Sequence, residues 1–283
     1  MSLADFSDRL IELALWEDLG PGDVTSRLTI PPDQKGAARV VARSEVVVSG
    51  LGVFQKVFQK VDPLAEVKLL AQDGQVLAQG AALAEISGPA RSLLAGERVA
   101  LNFLMRLSGI ATLTRKYVLA MGEGSSLLDT RKTTPGFRAL EKAAVLHGGG
   151  RNHRFGLFDG ILIKDNHIAT VGSLALAVQK AKRDAPHGLK VEVEVDEIAQ
   201  ITPALEAGAD LILLDNMSPA QLSAAVELVQ SFFAPKARTV FLEASGGINI
   251  NNIRQVAQTG VDFISVGALT HSAPWVDLGL DWL

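Results

Sequence analysis

From Ser108 onward the chain alternates short apolar strands with helices, and this rhythm limits the folds open to it. The expected strands are Ser126-Leu127-Leu128, Gly160 to Ile163, Val191 to Val195, Leu211 to Leu214, Thr239 to Glu243 and Phe263 to Val266. Helical spacing is expected from Ser173 to Asp184, Ile198 to Ala207, Pro219 to Phe232 and Ile250 to Thr259. Strands that alternate with helices form parallel sheets, because a parallel connection needs a crossover long enough to hold a helix. In a barrel of this kind the functional groups lie just after the strands.

Polar residues end or line every one of those strands. Asp129, Thr130, Arg131 and Lys132 follow the first, and Lys164 and Asp165 the second. Glu192 and Glu194 alternate with Val191, Val193 and Val195, so one face of the third strand is acidic. Asp215 and Asn216 follow the fourth, the run Glu243 to Gly247 the fifth, and Gly267 the sixth. A barrel that served only as scaffold would not need charge at each place, so this face is the expected active site.

The first hundred residues lack the βαβ rhythm. A helix is expected from Asp5 to Trp16, with Phe6, Leu10, Ile11, Leu13 and Ala14 at helical spacing, ended by the breakers up to Asp23. A strand or two follow from Ala38 to Val48, a helix from Gly50 to Val61, short strands from Ala65 to Ile86, and a helix from Ser92 to about Leu107. The expected organisation is an α+β domain over 1–107, joined by the C-terminal tail 270–283, and an α/β-barrel catalytic domain over 108–269.

Bulk properties exclude several classes. The net charge of −4, with no dominant basic face, argues against nucleic-acid binding. With no Cys, the chain has no disulfides, thiolate metal sites or thiol nucleophiles. No apolar run approaches the roughly 18 residues of a membrane span, and MSLADFSDRL is not a signal pattern. A cytoplasmic location is expected.

The segment Asp129 to Ile168 carries seven of the 27 Lys and Arg and three of the five His, and is net +3 within a net-negative chain. A solvated basic loop would not be interrupted by an apolar strand such as Ile161-Leu162-Ile163. A pocket for a polyanion would, since Arg forks match carboxylate and phosphate oxygens in pairs. Ser245-Gly246-Gly247 and Gly267 end the last two strands, where barrels of this type commonly seat a phosphate. Glu194 and Asp215 form an acidic pair that needs donors or cations: an ion pair with Lys164, or ribose hydroxyls and Mg²⁺. His153 is either a satisfied core residue or, beside Arg154, part of the site.

The central motif DTRKTTPGFRALEKAAVLHGGGRNHRFGLFDGILIKDNHI resembles the signature of the quinolinate phosphoribosyltransferase family. So do WEDLGPGDVTS, GERVALNFLMRLSGIAT, VEVEVD, LLDNMSP, EASGGI and SVGALTHSAPWVDLGL, which together extend the likeness along nearly the whole chain. The resemblance implies an N-terminal α+β open sandwich followed by an irregular parallel α/β barrel, the type II phosphoribosyltransferase fold. The implied reaction joins quinolinate and phosphoribosyl pyrophosphate to give nicotinate mononucleotide, pyrophosphate and CO₂, with Mg²⁺ as cofactor, in NAD biosynthesis. It further implies that Arg98, Arg131, His153, Arg154 and Lys164 hold the quinolinate carboxylates, with Arg98 donated across a homodimer. Lys132 would face the phosphates, and Glu194 and Asp215 the ribose hydroxyls and metal. Ser245, Gly246, Gly247 and Gly267, with Thr130, Ser265 and Val266 nearby, would complete the substrate contacts, and Lys132, Lys164, Glu194 and Asp215 the catalytic set. His147 departs from relatives that often carry Cys or another small residue there.

Two rivals remain at this stage. A sister phosphoribosyltransferase of the same fold should lack the NHR and LIKDNHI segments, which are intact. A non-catalytic phosphate-binding protein should have lost some of Arg98, Arg131, Lys132, Lys164, Glu194 or Asp215, and none is lost.

Overall fold

The computed structural model describes residues 3–283, with side chains described from Ser7 on; the expected apolar position Phe6 therefore lies outside the described side chains. The chain divides into two compact units. The first comprises Met1–Arg115, Thr133–Gly149 and Leu269–Leu283, the second Lys116–Lys132 and Gly150–Ala268.

In the first unit, β1 (Lys35–Ala42), β2 (Val46–Val47), β3 (Glu66–Leu69), β4 (Val76–Leu77) and β5 (Ala82–Pro89) are all antiparallel to their partners. The sheet order is β3-β5-β1 followed by the strand Leu278–Trp282 of the C-terminal tail, which pairs with β1 from Ala38↔Trp282 to Ala42↔Leu278. Ala38, Val40 and Ala42 are buried, the period-2 pattern of a half-covered strand. Helix Leu51–Val61 buries Leu51, Val53, Phe54, Val57 and Phe58, an apolar stripe at helical spacing. Its start is held by Asp73, whose Oδ1 accepts the Gly50 and Leu51 N–H groups at 2.9 and 3.1 Å.

Arg106 explains why three separated segments belong to this unit. Its Nη2 donates to Glu141 Oε1 at 2.7 Å and also to the Thr270 carbonyl, and its Nη1 donates to the Ala273 carbonyl at 2.9 Å. Glu141 is wholly buried and also accepts from the Thr134 N–H at 3.0 Å and its hydroxyl at 2.8 Å. A buried ion pair needs such extra donors to offset its desolvation.

The second unit is built on a parallel sheet of β6 (Ser126–Leu128), β7 (Ile161–Ile163), β8 (Val191–Val195), β9 (Leu211–Asp215), β10 (Phe241–Ser245) and β11 (Phe263–Ser265). Its order is β6-β11-β10-β9-β8-β7, every pair parallel. Read around, this is sequence order, the connectivity of a β/α barrel left unpaired between β6 and β7. Helices Leu174–Asp184, Ile201–Glu206, Pro219–Phe233 and Ile253–Ala257 fall between the later strands. Val193, Ile212, Leu214, Leu242 and Ile264 are fully or almost fully buried. Among the described residues no helix is long and apolar enough to cross a membrane.

Several elements differ from expectation. The helix expected to end near Leu107 runs Ala90–Met121. Gly109 does not break it; a Cβ there would lie 2.1 Å from the Pro274 carbonyl oxygen, so this glycine serves a close backbone approach. The fifth barrel strand lies two residues later than expected, which places Glu243 mid-strand instead of at the end. The helix expected from Ile250 begins at Ile253. Asn252 Oδ1 accepts the Asn249 N–H at 2.8 Å and Asn249 Oδ1 the Asn251 N–H at 3.0 Å, and such local bonds compete with a helical turn. Helices Arg138–His147 and Asp165–Val171 were not anticipated, because their polar residues obscure the apolar period.

Candidate active site

The cationic wall of the second unit begins with the path of the chain around β6. Arg151 N–H donates to the Leu127 carbonyl at 2.8 Å, and Asp129 N–H donates to the Arg151 carbonyl at 3.1 Å. Residues 151–154 therefore run beside the end of β6, in a parallel bridge of Leu128 with Arg151. Asp129 is wholly buried, and its Oδ1 accepts the His153 N–H at 2.8 Å. The next residue, Arg154, donates from Nη1 to the Gly160 carbonyl at 2.9 Å. Burial, and then the positive charge of Arg131, lower the Arg154 pKa from its ordinary value. Two guanidinium groups held near one another in a partly desolvated place favour an anion between them.

The acidic floor comes from strand alternation. Glu192 and Glu194 share one face of β8, and Glu194 is in register with Leu213, which is in register with Glu243 of β10. Directly paired residues point to the same face of a sheet, so all three acids do. Lys164, just after β7, is ion-paired with Glu194, with the lysine side chain 44% exposed. The ion pair with Lys164 expected as one way to satisfy Glu194 is therefore present. Lys132 is exposed, and its N–H donates to Thr130 Oγ1 at 3.0 Å in a tight turn.

His153 Nε2 lies 3.3 Å from Glu192 Oε2 and 3.7 Å from Glu243 Oε2. Burial depresses the imidazole pKa, but the hydrogen bond to Glu192 and the charge of Glu243 outweigh it and raise the net value. A second proton would have to sit on Nδ1, which already accepts the Arg154 N–H at 2.7 Å. The geometry thus keeps a single proton, on Nε2. Glu243 is pushed up to about 7, first by burial and then by the charge of Glu192.

At the ends of β9 and β10 the backbone is tightly folded. Asn216 has φ 54°, and its N–H donates to the Ser245 carbonyl at 2.8 Å. Its side-chain Nδ2 donates to Asp215 Oδ2 at 2.7 Å. A Cβ on Gly246, whose φ is +89°, would lie 2.2 Å from Asn216 Oδ1. Only glycine fits there, and the fit brings Ser245-Gly246-Gly247 beside Asp215. Ser265 and Val266 are buried, and the Val266 N–H is engaged by the Leu128 carbonyl at 3.0 Å. Val266 therefore seats Gly267 after β11 and has no amide to offer a ligand. Arg98 is exposed on helix Ala90–Met121, in the first unit.

Two sets of carboxylates bear on metal chemistry, one a pair on adjacent strands and the other a close cluster. Glu194 and Asp215, from adjacent strands, are hard oxygen donors of the number Mg²⁺ takes from protein when phosphates supply the rest. His153, Glu192 and Glu243 have ligand atoms within 4.8 Å of one another. Asp129, Glu192 and Glu243 were expected at the working face but were given no role in binding or catalysis. The Val-Glu alternation marked Glu192 as facing Glu194's side, but nothing local linked it to His153, 39 positions earlier.

Residues 23–108 match the family described as quinolinate phosphoribosyl transferase, N-terminal domain, and residues 110–281 the corresponding C-terminal domain. The chain belongs to the quinolinate phosphoribosyl transferase family. A Bacillus subtilis relative, a probable nicotinate-nucleotide pyrophosphorylase [carboxylating], is 44% identical over 274 residues, covering 96% of this chain and 92% of the relative. A Synechocystis relative of the same description is 41% identical over 274 residues, covering 96% and 91%. The solved nicotinate-nucleotide pyrophosphorylase of Francisella tularensis superposes with a TM-score of 0.93 at 40% identity, covering 100% of this chain and 98% of that one. Quinolinate phosphoribosyl transferase family membership spans both units, so the α+β sandwich and the barrel are family features.

Proposed function

We propose that the chain transfers the phosphoribosyl group of phosphoribosyl pyrophosphate to quinolinate and releases CO₂ and pyrophosphate, forming nicotinate mononucleotide for NAD biosynthesis. The observation that carries the reading is the juxtaposition of Arg131 and Arg154 above an acidic floor. A pyridine diacid needs paired cations, and a sugar that develops positive charge needs carboxylates nearby.

In this reading Arg131, Arg154 and Lys164 hold the two carboxylates, with His153 beside them and Arg98 supplied by a second copy. Lys132 faces the phosphates, and Ser245, Gly246, Gly247 and Gly267, with Thr130, Ser265 and Val266 behind them, shape the 5′-phosphate cradle. Support for a homodimer comes from a groove of about 610 Å³ in the first unit, lined by Leu13, Phe103, Phe137 and Trp275, among others. Leu13 and Trp275 are 60% and 53% exposed there, an apolar surface of the kind a partner covers. A cytoplasmic setting suits a cysteine-free chain acting on phosphorylated metabolites.

The pyridine nitrogen donates its lone pair to ribose C1′ as the bond to pyrophosphate breaks and the leaving oxygen keeps its electrons. Glu194 and Asp215 face the positive charge on the sugar, and Lys132 the negative charge on the leaving group. Glu194 and Asp215 would hold a Mg²⁺ ion, which would supply charge neutralisation for the leaving pyrophosphate. The new ring nitrogen is cationic, so the pair released when CO₂ leaves the neighbouring carbon is stabilised in the ring, and a proton then replaces the carboxylate. No covalent enzyme intermediate is needed, and orientation by the cations supplies catalysis of about 7–11 kcal/mol at most.

The test is incubation with quinolinate, phosphoribosyl pyrophosphate and Mg²⁺. Nicotinate mononucleotide and CO₂ should appear in equal amounts. Absence of both from a folded sample would reduce the chain to a phosphate-ligand binder.

A further inference from the structure

We propose that Glu192 and Glu243 are positioning residues for the diacid half of the site: they hold the His153 ring, and the ring fixes the backbone from which Arg154 reaches the substrate. The inference rests on the reading above, in which Arg154 takes a quinolinate carboxylate.

Both ring nitrogens of His153 are engaged within the protein. Nδ1 accepts the Arg154 N–H at 2.7 Å, so the ring proton sits on Nε2. Nε2 in turn points at Glu192 Oε2 and Glu243 Oε2, at 3.3 and 3.7 Å. The backbone of the same residue is held by Asp129 Oδ1 at 2.8 Å. Carboxylates from the end of β6, from β8 and from β10 thus converge on one histidine. In this arrangement neither nitrogen is left to donate to a substrate carboxylate. His153, placed among the carboxylate ligands by family resemblance, acts here through Arg154.

The burial of the two glutamates sharpens the argument. Glu192 is 6% and Glu243 1% exposed, and Oε1 of each is buried without a hydrogen-bond partner. Apolar side chains of similar volume would make a more stable floor than two acids so poorly solvated. What the acids supply, and apolar residues could not, is an acceptor for Nε2–H. That acceptor selects the tautomer whose Nδ1 lone pair meets the Arg154 N–H. Ring, peptide and guanidinium are then fixed in series, the last also by the Gly160 carbonyl at 2.9 Å. Supporting groups of this kind typically shift affinity by tenfold or more when removed from an ordered site.

The experiment uses the full chain with its two substrates. Glu192→Ala and Glu243→Ala should each raise the KM for quinolinate about tenfold, with the KM for phosphoribosyl pyrophosphate and kcat within about threefold of wild type. Glu243→Gln, which keeps length and an acceptor oxygen, should restore most of the quinolinate KM. An equal rise in both KM values, or no rise in a folded variant, overturns the proposal. Should the alanine variants not fold, ¹⁵N-histidine spectra of the wild-type chain decide: Nε2–H with Nδ1 unprotonated supports it. Nδ1–H, or an Nε2 without its proton, as a metal bound at the cluster would leave it, overturns it. Wild-type protein that makes no nicotinate mononucleotide would sink the functional reading instead, and the spectrum would still report on the histidine.

Discussion

The backbone N–H of Arg154 donates to Nδ1 of His153 at 2.7 Å, so two adjacent residues are locked into one conformation by a ring nitrogen. The bond fixes the peptide from which the Arg154 side chain departs, and the Gly160 carbonyl, 2.9 Å from Nη1, holds its guanidinium end. The bond also transmits the chemistry of the buried acids to the cationic wall.

Lys164, just after β7, and Glu194 of β8 form an ion pair at the working face. Lys164→Ala should lower kcat/KM for quinolinate by roughly 100-fold, equivalent to a lost charged contact of about 3 kcal/mol. Steady-state kinetics check this. Unchanged turnover would remove Lys164 from the site.

Gly246 has no room for a side chain. Gly246→Ala places a methyl 2.2 Å from Asn216 Oδ1 at a φ of +89°. The expected destabilisation is about 1–3 kcal/mol, read as a lower Tm, with the KM for phosphoribosyl pyrophosphate raised more than that for quinolinate. A wild-type Tm would show that the loop opens without cost.

Glu243 gives stability a pH dependence. Its pKa is raised to about 7 in the folded chain, above the ordinary carboxyl value, so the folded state binds this proton more tightly. The stabilisation is complete below about pH 4 and is lost as pH rises through about 7. Relative to Glu243→Gln, wild type should therefore lose a few degrees of Tm between pH 5 and pH 8. Parallel melting curves across that range would place the proton elsewhere.

Metal dependence should localise to Asp215 and Glu194. EDTA should abolish turnover and Mg²⁺ restore it, with Asp215→Asn requiring at least about tenfold more Mg²⁺ for half-maximal rate. Full activity in EDTA would remove the metal from the proposal.

A shared site makes a combinatorial prediction. Arg98→Ala and Arg131→Ala proteins, each inactive alone, should regain roughly a quarter of wild-type activity after mixed refolding, since half the dimers are mixed and each has one intact site. No recovery, with mixed dimers demonstrated, would place Arg98 in its own chain's site.

Much of the architecture was legible in the chain. Short β-branched runs such as Val191–Val195 read as strands because their period is local, and the helix Leu51–Val61 because its apolar stripe is. Charge after each strand pointed to the working face without any knowledge of the ladder. Local chemistry misled where it competed with the pattern. The Asn-rich stretch before Ile253 shortened a helix, and the helix expected to end near Leu107 runs on to Met121 through Gly109, whose close partner, the Pro274 backbone, is 165 positions away in the chain.

The sequence by itself determined the parallel α/β rhythm, the family, and which cations and acids stand at the strand ends, since periodicity and motif are short-range properties. Only the tertiary structure decided that Asp129, Glu192 and Glu243 meet at His153, and that Arg106 gathers three segments into one unit. Those contacts join residues far apart along the chain, and their partners are chosen by strand order and register, which no local pattern encodes.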